Sequence, residues 1–142
     1  MTMPQGGTGT PRVMVVVGTR PEAIKMAPVL RGLGDREDRV SSCLALTGQH
    51  DERVDQVLQA FQMTPRYDVG IMRRDQTLYD VAHACLDGIR DVLRDWGPDL
   101  ILVQGDTASV FLGALCGFFE KVAVGHVEAG LRSRHPGLPY PD

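Results

Sequence analysis

The chain has 142 residues and a mass of 15.5 kDa, with 15 Lys plus Arg against 18 Asp plus Glu and a formal net charge of −3. That length suits one domain, in which about two-thirds of the surface of the unfolded chain can be buried, so a core forms without disulfides or metal. Hydrophobic residues at 43% and charged residues at 23% exclude disorder, collagen and coiled coil as descriptions of the whole chain. A slightly acidic chain without a dense basic run also gives no footprint for nucleic acid.

A membrane span is not expected. The most apolar stretch, Val110 to Phe119 with Val122 to Val124, is broken by Glu120 and Lys121 and falls short of the ~20 residues a crossing helix needs. Met1 to Thr10 lacks the charged and apolar regions of a signal peptide, and Gly6, Gly7 and Gly9 mark residues 1–11 as a disordered tail. Cys43, Cys85 and Cys116 are odd in number, far apart and without a CxxC pair. They read as small buried hydrophobes in a reducing cytoplasm.

Arg12 to Gly18 is a β-branched run whose unbroken apolar character predicts a strand buried on both faces, as in a parallel sheet. Thr19 and Glu22 fit a capping box, with Pro21 in the first turn of the helix that follows toward Leu33. Pro28 should kink or divide that helix, and Gly32 and Gly34 should stop it. Val40 to Thr47 reads as a second strand. Val54, Val57, Leu58 and Phe61 trace one helix face before Pro65.

Tyr67 to Met72 reads as a short third strand. From Thr77, the positions Leu78, Val81, Ala82, Cys85, Ile89, Val92 and Trp96 trace a long amphipathic helix, stopped by Gly97 and Pro98. Asp99 to Gln104 is a fourth buried strand. Ala108 to Phe119 is apolar nearly all round, which predicts a largely buried helix. Val122 to Glu128 reads as a fifth strand, and Ala129 to Asp142 as loop. Strand and helix in alternation imply an α/β fold with a doubly wound, mostly parallel sheet over residues 12–142.

Ligands of such sheets bind beyond the carboxyl ends of the strands. That rule selects Gly18 to Lys25, Gly105 to Thr107 and His126 to Arg132. The first segment stands where a phosphate-binding turn would, yet it matches neither GxGxxG nor GxxxxGK[ST]. It reads either as an anion site, with Arg20, Lys25 and a helix N-terminus, or as a capped helix with two solvated cations. Asp106 either caps the next helix or faces the crevice, and Thr107 can cap in its place.

His126 and Glu128 would point the same way from a strand. Glu128 either faces a polar crevice or pairs structurally, for example with Arg132. His126 reads first as a hydrogen-bonded support. Gln49 and His50, after the second strand, are polar-ligand candidates or plain loop residues. The spacing of His50, His83, His126 and His135 suggests no metal site.

At these motifs the sequence resembles the non-hydrolysing UDP-N-acetylglucosamine 2-epimerases. The matching pieces are VVVGTRPEAIKMAPVL (15–30), TGQH (47–50), DQVL (55–58), VQGDT (103–107) and VGHVEAGLR (124–132), in the family's order. The resemblance implies the N-terminal Rossmann-like half of a GT-B architecture. It also implies reversible conversion of UDP-N-acetylglucosamine to UDP-N-acetylmannosamine by elimination and re-addition of UDP, with no metal or other cofactor. Cytoplasmic members feed cell-surface polysaccharide synthesis, are typically homodimers and bind neither nucleic acid nor membrane.

Carried over by motif, Arg20 and Lys25 are implied as substrate-binding cations, and Asp106 and Glu128 as carboxylates in both binding and catalysis. Asp142 falls where the family has a third catalytic carboxylate; here it is an aspartate in Pro139-Tyr140-Pro141-Asp142. Gln49, His50 and Gln76 match a regulatory sugar-nucleotide site. The chain departs from the family at Asp51, Glu52 and Asp75.

Family members are more than twice as long, so a C-terminal domain is expected to be absent from this chain. The expectation is an N-terminal part, inactive alone, whose missing half is supplied in cis or in trans. The alternatives are a catalytically silent fragment that at most binds a partner or nucleotide, and another GT-B enzyme such as a hydrolysing epimerase or a glycosyltransferase. Missing edge elements would leave a strand edge exposed.

Overall fold

The computed structural model describes residues 9–48, 52–70 and 76–130. The expectations placed on Gln49, His50 and Asp142 lie outside the described residues. In chain order the elements are β1 (Arg12–Val17), α1 (Arg20–Gly34), β2 (Ser41–Leu46), α2 (Glu52–Ala60), β3 (Tyr67–Asp68), α3 (Leu78–Trp96), β4 (Leu100–Gln104), α4 (Ala108–Phe119) and β5 (Ala123–Val127). The strands form a parallel sheet in the order β3-β2-β1-β4-β5. This is the doubly wound α/β arrangement that the alternation of strand and helix predicts.

β1 is the centre of the sheet. Val15 pairs with Leu44 on one side and Leu102 on the other, and Val13 to Val17 are all buried. Its side chains alternate between two cores, as strand geometry requires. Met14 and Val16 join Ile89, Leu93 and Trp96 of α3 and Val110, Leu112 and Cys116 of α4. Val15 and Val17 join Ala23 and Met26 of α1 and Val54, Val57 and Leu58 of α2. The three cysteines are free and buried, and loss of solvation pushes their thiols up, to about 12 for Cys43 and Cys85 and about 11 for Cys116.

Three local expectations are corrected. Of the two effects expected of Pro28, division of α1 does not occur: the helix runs unbroken past Gly32 to Gly34 and ends on Asp35 in a right-handed conformation. Ile24 and Pro28 lie together on the exposed side, where water can take the Ile24 carbonyl that a proline leaves unbonded. Leu78 does not join the buried face of α3. It is 84% exposed, because the packed part of that helix begins one turn later at Val81.

The third correction concerns α4, which lies over β5, the edge strand of the sheet among the described residues. Among the described residues β5 pairs with β4 alone, and Ala123, Val124 and His126 are exposed. α4 packs onto the sheet through Val110, Leu112 and Cys116. Its far side, with Phe111, Phe118 and Phe119 at 66%, 76% and 61% exposure, is covered by no strand among the described residues.

An open parallel edge beside three exposed phenylalanines favours self-association. The chain is expected to elute above its 15.5 kDa monomer mass in size-exclusion chromatography, increasingly so at higher concentration. The Phe118→Glu, Phe119→Lys double variant should elute as a monomer. A wild-type monomer at all concentrations would contradict this.

Candidate active site

Strand order reverses at β1, so β2 and β4 leave it in opposite directions and a crevice opens beyond the carboxyl ends. A cavity of about 480 Å³ occupies that place, walled by Glu22, Lys25, Asp106, Thr107, His126 and Glu128 among others. The three segments selected in the sequence therefore meet at one cavity, although they come from the ends of three different strands.

The turn from β1 to α1 is compact because Gly18 has no side chain. A Cβ there would stand 2.4 Å from Ser109 Oγ and 3.0 Å from Thr47 Oγ1. Gly48 is under the same constraint, since a Cβ would lie 2.0 Å from the Gly18 carbonyl oxygen. Thr19 is the N-cap of α1, as its spacing to Glu22 predicts. Glu22 Oε2 accepts the backbone N–H of Gly18 at 2.5 Å and of Thr19 at 3.1 Å.

Pro21 has no N–H, and the amides of Gly18 and Thr19 are already committed to a carboxylate. The start of α1 is thus largely neutralised by its own sequence. The anion site that sequence reading places there must rely on side-chain cations more than on free amides. Lys25 lines the cavity. Arg20 is exposed in the first turn of α1, outside the cavity wall.

Glu128 follows β5 directly, in the left-handed region at φ 57°. Strand alternation therefore does not set its direction relative to His126; the turn does. Its carboxylate Oε2 accepts from Lys25 Nζ at 2.5 Å and from Gln104 Nε2 at 2.5 Å. The pairing partner is Lys25, 103 residues away; the alternative partner Arg132 lies outside the described residues. The hydrogen bond from Lys25 is the largest cause holding the Glu128 carboxyl below its ordinary value, with Gln104 adding in the same direction.

Asp106 is exposed on the cavity wall. The choice left open by the sequence is resolved by its neighbour. Thr107 caps α4, its Oγ1 accepting from Val110 N at 3.4 Å, which leaves the Asp106 carboxylate to the cavity. His126 Nε2 stands 2.6 Å from the Gly105 carbonyl oxygen. That nitrogen must carry the proton and donate it, so the ring braces the Gly105–Thr107 turn.

Among the described residues no group of three His, Cys, Asp or Glu could hold a metal ion. No helix among them is long and apolar enough to cross a membrane. Gln76 is half-buried before the N-cap Thr77 and does not line the cavity. Two polar contributors escaped the sequence reading, Gln104 as a support for Glu128 and the second oxygen of Glu22. A polar residue closing the apolar run LILV signals the first. No local pattern signals the second, because its partner Thr107 is 85 residues away.

The sequence model of the UDP-N-acetylglucosamine 2-epimerase family matches residues 34–142. The UDP-N-acetylglucosamine 2-epimerase of Yersinia pestis is 45% identical over 131 residues, 92% of this chain and 35% of that protein. The one of Campylobacter jejuni is 43% identical over 131 residues, 92% and 34%. Among solved structures, the UDP-GlcNAc 2-epimerase from Neisseria meningitidis, bound to UDP-GlcNAc, superposes with a TM-score of 0.86 at 43% identity, covering 92% of this chain and 35% of that one. The Methanocaldococcus jannaschii enzyme, in complex with UDP-GlcNAc and UDP, superposes at 0.79 with 34% identity, covering 86% and 33%. The chain thus spans about a third of the length of these relatives. With its family model, its relatives and its fold in agreement, the chain belongs to the UDP-N-acetylglucosamine 2-epimerase family.

Proposed function

We propose that this chain is the N-terminal part of an enzyme that interconverts UDP-N-acetylglucosamine and UDP-N-acetylmannosamine, and that it supplies one wall of the nucleotide-sugar site. One observation carries the reading. Lys25, Asp106 and Glu128, from three separated motifs, line a single cavity at the switch point of a Rossmann-like sheet.

The chemistry asks for these residue types. The C2 hydrogen of the sugar is not next to a carbonyl, so its direct removal would leave an unstabilised carbanion. Elimination avoids this: a base takes the C2 proton, the C1–O bond to UDP breaks, and a 2-acetamidoglucal forms. UDP then adds back at C1 while C2 is protonated from the other face. Asp106 and Glu128 serve the proton transfers. Lys25, helped by Arg20, offsets charge on the departing diphosphate. Asp142 stands as a third carboxylate in this reading, and Gln49, His50 and Gln76 as contacts of a regulatory nucleotide.

The same reading makes the isolated chain inactive, because it provides about a third of the relatives' length and one Rossmann-like unit. The remainder, in cis or in trans, supplies the other wall. The complete enzyme works in the cytoplasm, as a homodimer, in the synthesis of surface polysaccharide. The free buried thiols suit that compartment.

Incubated with UDP-N-acetylglucosamine in deuterated water, the 142-residue chain should place no deuterium at C2; its appearance there would refute the need for a second wall. Exchanged for the matching N-terminal third of the Yersinia pestis relative, the chain should give an active epimerase. In that chimera Asp106→Asn and Glu128→Gln should each lower kcat by about 10²- to 10⁴-fold. A folded but inactive parent chimera would overturn the assignment.

The Lys25–Glu128 pair has a signature of its own. Because Glu128 titrates below its ordinary 4.5, the pairing contributes above that value and is lost as pH falls through the lowered midpoint. Lys25→Met should move the midpoint of the Glu128 carboxyl carbon signal upward in an NMR titration. An unchanged midpoint would show that the ion pair does not form in solution.

A further inference from the structure

Glu22 is the third residue of α1 and is 2% exposed. Among the described residues no cation pairs with its carboxylate. Burial of an unpaired carboxylate is costly unless its oxygens are taken by donors. Here both are taken, but by different parts of the chain. Oε2 accepts from the Gly18 and Thr19 amides, which a helix cap alone would explain. Oε1 accepts from the Thr107 hydroxyl at 2.7 Å, across 85 residues, and helix capping has no need of that bond.

Thr107 is itself the N-cap of α4 and uses the same oxygen to receive the Val110 amide. One carboxylate therefore joins the first turns of the two helices that frame the crevice. The turn carrying Asp106 is held from both flanks, by Glu22 through Thr107 and by His126 through the Gly105 carbonyl. Lys25 rides one turn along the helix that Glu22 caps.

We propose that Glu22 is a positioning residue, whose two carboxylate oxygens lock the β1–α1 turn to the β4–α4 turn and so fix Asp106 relative to Lys25 across the cavity. The inference rests on the reading that the cavity takes a nucleotide sugar and deepens it, since it says what keeps the two sides of that site in register.

The test has two arms. In the 142-residue chain, amide NMR compares wild type with Glu22→Ala, Thr107→Val and Thr107→Ser. A cross-turn lock predicts that Glu22→Ala shifts the Asp106, Thr107 and Val110 amides and speeds Val110 exchange at least tenfold. It also predicts that Thr107→Val shifts the Glu22 carboxyl carbon, with Thr107→Ser close to wild type. Changes confined to residues 18–23 in a folded Glu22→Ala protein would reduce Glu22 to a helix cap and overturn the proposal. If Glu22→Ala does not fold, the Thr107→Val and Thr107→Ser comparison decides alone.

In the chimera, Thr107→Val should lower kcat tenfold or more with KM within threefold, and Thr107→Ser should restore it. A fall in stability with kcat unchanged would overturn the positioning role. An inactive parent chimera would instead sink the epimerase reading, while the amide arm still judges the lock.

Discussion

The site depends on β1 being hydrogen-bonded along both edges. A strand paired on each side and packed on each face has no exposure to offer, so its residues must be apolar in succession. Val13 to Val17 satisfy that. The chain leaves β1 to one side for β2 and returns to the other side for β4, and this reversal pulls the following loops apart at the carboxyl end. The cavity is a consequence of strand order before any polar residue is considered.

The polar residues then divide into those facing the cavity and those that hold them. Asp106 is exposed on the wall, and Lys25 and Glu128 are half-exposed there. An ion pair open to solvent contributes little to stability, so the half-exposed Lys25–Glu128 contact is a weak brace for the fold. The braces are the buried groups: Glu22 and Gln104, at 2% and 3% exposure, both occupied by hydrogen bonds to cavity residues or to the turns that carry them. Leaving either donor or acceptor unmatched at such burial would be costly, which keeps both side chains in one orientation. Around them Gly18 and Gly48 let backbone segments approach to distances that any side chain would block.

Much of this was legible beforehand for local reasons. The apolar run of β1, the stripe of α3 from Val81 to Trp96 and the caps at Thr19 and Thr77 follow from periodicity and from hydrogen bonds within three residues. The crevice segments were legible because the carboxyl-end rule needs only the order of strands and helices. The misreadings were of another kind. α4 reads as largely buried because its residues are apolar, and burial also needs a neighbour. Strand order places β5 at the edge, and Phe111, Phe118 and Phe119 are exposed with it.

The sequence by itself determined the α/β alternation, the helix boundaries, the family and the three segments that carry Lys25, Asp106 and Glu128. Those properties reside in short windows, where spacing and residue type decide the outcome. Tertiary structure alone decided that Glu128 meets Lys25 rather than another cation, and that Glu22 reaches a second loop. Each of these is a contact between residues far apart in the chain, and only the packing of the sheet brings such residues to one place.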